Sequence, residues 1–408
     1  MKRLILVLIT VSIFLFSVSA QRKNFTYKFY GFVRGDLFYN TRANMAPVDG
    51  NFYLYPLDVK PDADGKDLNA VPNGSFYTFT TRLGIDVTGP DIGKARTSAK
   101  VETDFGGFSG NTTVLRVRQA YVALDWGKSN VTIGQTWHPL FGAVFPDILN
   151  LSTGAPFQPF NRSPQLRYQY RTNGWNLTAS ALWQLQYLSS GPNGMSEDYI
   201  KNSCVPEFYI GADYSANNWL LGAGGHLISL KPRTSAEWQG KTYKVNERMT
   251  ALSYEAHLKY TGKNYTFAAK SLMASCLDHT ALIGGYGISA INPANGEQEY
   301  TPFRHSTTWV NFTYGQKWKP ALFLGYTKNM GTNKSLVTPT TVYGMGLDID
   351  QLLSANINLS YNLPHWQIGL EYSASVAWYG TIDSGSGKVK DTHSVTNHRI
   401  LGLVMYYF

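Results

Sequence analysis

The chain has 408 residues, a formal charge of +9, 15% charged residues and 14% aromatic residues. Soluble domains carry roughly 25% charged residues, so this chain is poor in charge and rich in Tyr and Trp. No long block of Lys and Arg occurs, which removes the usual footprint of a nucleic-acid partner. Two cysteines, Cys204 and Cys276, are too few for a disulfide framework.

The N-terminus predicts export. Lys2 and Arg3 precede an apolar run from Leu4 to Phe16, and Val18-Ser19-Ala20 supplies small residues at its end. That is the three-part plan of a secretory signal, with cleavage expected after Ala20. The expected organisation is a signal peptide, 1–20, and a single domain, 21–408. Beyond it no segment approaches the ~18–20 consecutive apolar residues of a spanning helix. An oxidising compartment leaves one bridge between Cys204 and Cys276 open, provided their Cα atoms approach within about 7 Å.

Segments of period-two alternation then follow along the chain. Sixteen are predicted, at about 28–40, 76–88, 95–105, 113–125, 129–137, 164–171, 174–188, 206–215, 218–230, 248–261, 264–275, 306–315, 318–328, 351–361, 365–379 and 396–408. In 95–105, Arg96, Ser98, Lys100, Glu102 and Asp104 share one face and Val101 and Phe105 the other. The apolar bands Trp175 to Tyr187 and Trp366 to Trp378 carry aromatic residues at both ends, where amphipathic rings suit two membrane–water interfaces.

The connections alternate as well. Every second one is tight, as in "GPDIGK", "TNG", "SANN" and "NLPH", whereas 41–75, 138–163, 231–247, 276–305 and 380–395 are long. Short turns on one side and long loops on the other describe an all-β, up-and-down antiparallel transmembrane barrel, with periplasmic turns and extracellular loops. The chain ends "ILGLVMYYF", closing on aromatic Phe408, as bacterial outer-membrane proteins do. Outer-membrane lipid is therefore the expected surrounding, and the register sends polar faces to a watered lumen.

At "TRLGIDVTGP", "KVETDFGG", "LRVRQAYVAL" and "VTIGQTWHPLF" the sequence resembles the DcaP-like family of Gram-negative porins, over about residues 76–170. Its specific elements are Glu102-Thr103-Asp104-Phe105, the Arg116/Arg118-Ala120-Tyr121 strand, and Gly134-Gln135 followed by Trp137. Thr103 stands where the family pattern has glycine. The resemblance implies a sixteen-stranded homotrimeric porin passing small, often carboxylated solutes.

Arg34, Arg82, Arg96, Lys100, Arg116, Arg118 and Arg167 fall on the inward faces, with Asp36, Asp86, Glu102 and Asp104 among them. A ladder of Arg and Lys favours anions in a pore; the same residues can instead form ion pairs that brace the wall. The long connection 138–163 follows the fifth strand, and in sixteen-stranded porins the third outer loop often folds inward. His138, Asp147 and Arg162 are its candidate constriction residues. Asp62, Asp64 and Asp67 surround Gly65 in an acidic loop without the full calcium-ligand pattern. The eight histidines form no local metal motif, and no cofactor is expected. The reading is a passive channel for small hydrophilic, preferentially anionic solutes. A lipid hydrolase or a surface adhesin would share export and amphipathic strands. A hydrolase needs a Ser–His pair, and His257 has no apparent serine partner.

Overall fold

The computed structural model describes residues 25–48, 50–106 and 114–408. The expected signal peptide, 1–20, lies outside them. Sixteen strands form one closed antiparallel barrel in simple up-and-down order. The first eight are β1 (Thr26–Asn40), β2 in two pieces (Asn73–Tyr77 and Arg82–Thr88), β3 (Arg96–Asp104), β4 (Arg116–Asp125), β5 (Ser129–Trp137), β6 (Arg162–Thr172), β7 (Trp175–Leu182) and β8 (Glu207–Ala216). The second eight are β9 (Trp219–Leu230), β10 (Met249–Thr261), β11 (Tyr265–Ser275), β12 (Gln298–Tyr314), β13 (Trp318–Thr332), β14 (Ile349–Asn362), β15 (Trp366–Ile382) and β16 (Val389–Tyr407).

The barrel closes where β1 pairs with β16, from Phe32 opposite Tyr407 to Asn40 opposite Arg399. Gly31 and Phe408 then exchange two backbone hydrogen bonds of 3.1 Å, so the terminal aromatic residue completes the seam. Tight hairpins join strands at the other end of the pleat. Asn173-Gly174 and Asn217-Asn218 all have positive φ, as the commonest two-residue hairpin turns require.

The two faces of the wall are inverted relative to a soluble sheet. On β15, Trp366, Ile368, Leu370 and Tyr372 are exposed, while Glu371, Ser373 and Ser375 are buried. On β3, Val101 is exposed and Glu102 and Asp104 are buried. Aromatic pairs ring the short-turn end: Trp175 with Tyr214, Trp219 with Tyr260, Trp318 with Tyr361 and Trp366 with Tyr406, all with centroids 4.6–4.9 Å apart. This is one interfacial girdle. Tyr187, expected at the opposite interface, instead packs inside against Phe160, because β7 leaves the wall after Leu182.

Three further expectations change. The connection 380–395 is mostly strand, with only 383–388 between β15 and β16. Lys390 through Ser394 are all exposed; above the lipid both faces are wet, so alternation disappears while pairing continues. The long connections also carry structure of their own, including a hairpin of Ser235–Trp238 with Lys241–Lys244 and a strand Gly284–Ile291. Both cysteines are free thiols, Cys204 exposed and Cys276 buried, so no bridge joins their loops. Burial and the neighbouring Asp278 push the Cys276 thiol well up, which leaves it unreactive.

The inverted faces make a direct test. Leu370→Arg sets a charge on the exposed face of β15 and is expected to cost about 2–4 kcal/mol. Urea unfolding from lipid vesicles measures it, and an unchanged midpoint would place that face away from lipid.

Candidate functional site: the lumen and its inserted loop

The loop of residues 138–161 begins at the outer end of β5 and runs into the barrel rather than over its rim. Leu140, Val144, Gln158 and Asn161 are fully buried. Its apolar residues Phe141, Val144, Phe157 and Phe160 share one cluster with Phe52, Leu54 and Tyr55 of the loop after β1, and with wall residues Trp309, Phe323, Leu352 and Ala377. Phe52 meets Phe160 edge-on at 4.8 Å, and Trp137 stacks on Phe141 at 4.1 Å.

Polar wall residues then staple the loop's backbone, whose groups would otherwise be buried unpaired. Lys270 on β11 donates to the carbonyls of Leu140 and Phe141 at 2.8 and 3.0 Å. Glu371 on β15 accepts the amides of Leu149 and Asn150 at 2.8 and 3.4 Å. Arg34 on β1 donates to the Leu149 carbonyl at 2.8 Å, and Asn311 on β12 accepts the Asp147 amide at 2.9 Å. The Asp147 carboxylate pairs with Lys319, and Trp309 donates to Gln158 at 2.9 Å. Two wall glycines make room for the loop. A Cβ on Gly325 would meet the Phe157 ring at 2.4 Å, and one on Gly369 would meet Leu149 at 2.4 Å. The loop therefore spans the lumen from β5 to β12, β13, β15 and β1.

The basic residues expected to line the lumen lie mainly on β1 to β6, and most are paired. Arg34 binds Asp36 at 2.7 Å; Arg116 and Arg118 both bind Asp104, at 2.8 and 2.6 Å. Arg118 also reaches Glu102 at 2.9 Å, which Arg82 approaches at 3.7 Å. Lys100 pairs with Asp86 at 2.7 Å and lies over the Tyr30 ring. Arg96 differs from the expected ladder. At the start of β3 its side chain is 71% exposed and pairs with Asp125, so it belongs to the short-turn rim.

Arg162 and Arg167 have no carboxylate partner among the described residues. Arg167 donates to Gln165 and to the Trp137 carbonyl. Arg162 is buried against Trp137, Phe160 and Tyr187, and donates to the Tyr187 hydroxyl at 2.7 Å. His138 and Arg162 thus sit at the two ends of the loop, and Asp147 alone of the three reaches the far wall.

The other walls differ in chemistry. Ser354, Asn356, Asn358 and Ser360 of β14 form an uncharged polar row. On β8 to β10, Asp213 and Glu255 hold His257 between them at 2.9 and 2.8 Å, with Tyr209 donating to Glu255. His257 thus has carboxylates, not a serine, at both ring nitrogens. The acidic loop near Gly65 is an exposed turn in which Asp62 accepts the amides of Asp64 and Lys66, while Asp67 pairs with Arg42 at 2.7 Å.

Four residues meet that the sequence reading left scattered: His138, Glu207, His226 and His279. Their separation along the chain hides them, since each comes from a different strand or loop. The one signal was parity, because His226 and Glu207 fall on inward faces near the outer ends of β8 and β9. Burial pushes the His138 imidazole down to about 4. At His279 the same burial is outweighed by the Glu207 and Asp278 charges, which raise it.

The glycine notches yield a test. With Val at both Gly325 and Gly369, Phe157 and Leu149 lose their seats while the lipid face is untouched. The folded variant is expected to be cut by protease within 138–161, where the wild type resists. Equal resistance would mean that the notches do not seat the loop.

OmpT of Vibrio cholerae, folded in vitro, superposes with a TM-score of 0.57 over 96% of this chain and 100% of that chain, at 13% identity. Its trimer form gives 0.56 over 95% and 100%, at 14% identity. Salmonella typhi OmpF in complex with daunomycin gives 0.52 over 94% and 97%, at 11% identity. These likenesses establish the fold. No curated protein sequence matches the chain. The chain is a sixteen-stranded barrel of the bacterial outer membrane, and its residues 15–182 match the family of the DcaP outer membrane protein.

Proposed function

We propose that the barrel is a passive diffusion channel, not an enzyme, narrowed by the 138–161 loop and favouring small anionic solutes that carry carboxylates. The observation that carries this reading is the inserted loop, held across the lumen beside a wall with surplus positive charge. Seven basic residues on that side (Arg34, Arg82, Lys100, Arg116, Arg118, Arg162 and Arg167) face four acids, Asp36, Asp86, Glu102 and Asp104. Low-dielectric walls focus such a field, and the planar fork of Arg suits carboxylates.

The pairing moderates the preference. Most of the ladder neutralises its own acids, and Asp213 and Glu255 oppose it from β8 and β10. The field therefore runs across the lumen as much as along it, and selectivity is weak at high salt. A homotrimer is the assembly we favour, supported by the trimer form of Vibrio cholerae OmpT. The hydrolase alternative has no support at His257, whose two nitrogens are both engaged by carboxylates.

Reversal potentials across a potassium chloride gradient test the charge reading. The wild type is expected to prefer anions, and Arg167→Gln to weaken that preference without disturbing an ion pair. Arg116→Ala with Arg118→Ala should shift it towards cations, because Asp104 loses both arginines and Glu102 one. Cation preference in the wild type, or no shift in either variant, would reduce the ladder to a brace.

A further inference from the structure

At the base of the inserted loop, four side chains from four separate segments converge. His138 is the first residue after β5, Glu207 begins β8, His226 lies near the outer end of β9, and His279 sits in a short turn after β11. All four are buried, and one potential ligand atom from each lies within 4.8 Å of the others. Glu207 Oε2 is the common point. It stands 3.0 Å from His226 Nε2, 3.1 Å from His279 Nε2 and 3.4 Å from His138 Nε2. Metal–ligand bonds of about 2.0–2.1 Å in tetrahedral zinc sites put neighbouring ligand atoms about 3.3 Å apart. The three distances to Oε2 are compatible with that spacing, and all four ligand atoms lie within 4.8 Å of one another.

The hydrogen bonds sort the roles. The Nδ1 atoms of His226 and His279 are buried and have no hydrogen-bond partner. Each ring now hydrogen-bonds Oε2 through Nε2; with its proton moved to the unengaged Nδ1 it presents an Nε2 lone pair, and a metal bond takes the place of the bond to Oε2. His138 is different, because its Nδ1 accepts the Leu140 amide at 3.1 Å, which fixes the proton on Nε2. The other carboxylate oxygen of Glu207 is held as well. Gln184 donates to Oε1 at 2.7 Å, and is itself fixed by Ser189 through the Oγ and the amide. Such outer partners orient metal ligands, and two imidazoles with one carboxylate suit zinc and related divalent ions.

We propose that Glu207, His226 and His279 bind a divalent transition-metal ion, with Gln184 orienting the carboxylate and His138 beside the site but outside the ligand set. The ion replaces the two Nε2 protons that otherwise lie between the imidazoles and Oε2. It ties β8 and β9 to the loop after β11, and that loop holds the inserted one. The Thr280 carbonyl accepts the Phe160 amide at 2.7 Å, and the His279 carbonyl accepts the Asn161 side chain at 2.9 Å. The metal thus fixes the base of the constriction. That consequence rests on the channel reading, whereas the site itself does not.

The test uses the full barrel, unfolded with a chelator and refolded in detergent with zinc or cobalt(II), with heat-modifiability as the check on folding. One zinc per chain is expected in the wild type, and cobalt(II) should show visible bands of nitrogen–oxygen ligation. Folded His226→Ala with His279→Ala should retain no zinc, and Gln184→Ala should bind about 10–100-fold more weakly. His138→Ala should keep its zinc. A folded wild type that holds no more zinc than the double variant, or shows no cobalt bands, overturns the proposal. Loss of zinc from a folded His138→Ala would overturn the assigned roles. Conductance, read separately, leaves the site standing even if the channel reading fails.

Discussion

In hydrocarbon, no backbone amide or carbonyl can turn to water, so a sheet that spans a bilayer must close on itself. Everything else in this chain follows from that closure. It requires the sixteen strands to pair in ring order, down to the two bonds between Gly31 and Phe408. With every strand sharing lipid outside and water inside, side-chain parity decides each residue's surroundings. Val101 goes to one face, and Glu102 and Asp104 go to the other.

Closure also creates an interior too wide for side chains alone to fill, and the 138–161 loop occupies part of it. Its entry is a compromise between apolar contact and polar obligation. Phe141, Phe157 and Phe160 join the internal cluster, while Lys270, Glu371, Arg34 and Asn311 satisfy the backbone that enters with them. Removing an acceptor such as Glu371 would strand buried amides, whose desolvation costs about 1–3 kcal/mol each. The ion-paired wall obeys the same rule. Asp104 is buried only because Arg116 and Arg118 both bind it, and a buried charge without a partner is strongly destabilising.

Much of the barrel was legible because its period of two is imposed on every strand by the same two solvents. The sixteen segments and the parity of their connections came from that alternation, as did the inward face of β3. Reading failed where the solvents no longer differ. Lys390 to Ser394 are wet on both faces, so their strand looked like loop. It failed again where the chain leaves the wall, as at Tyr187, whose ring turns inward once β7 ends. The ladder of Arg and Lys was visible, but its partners were not, since pairing depends on cross-strand register. Arg118 and Glu102 meet only through the irregular register between β3 and β4. The His138, Glu207, His226 and His279 cluster lay furthest from view, because strand order alone brings those segments together.

On the channel reading, the 138–161 loop that crosses the lumen sets the size of the open path. Single-channel conductance in planar bilayers addresses it most directly, comparing the wild type with a variant in which residues 143–156 are replaced by a short glycine linker. The deletion removes Ala143 to Pro156 from the lumen and leaves Lys270, His138 and the wall intact. A conducting wild type and a distinctly larger conductance in the variant are predicted. Equal conductance in the two, or none in either, would contradict the account.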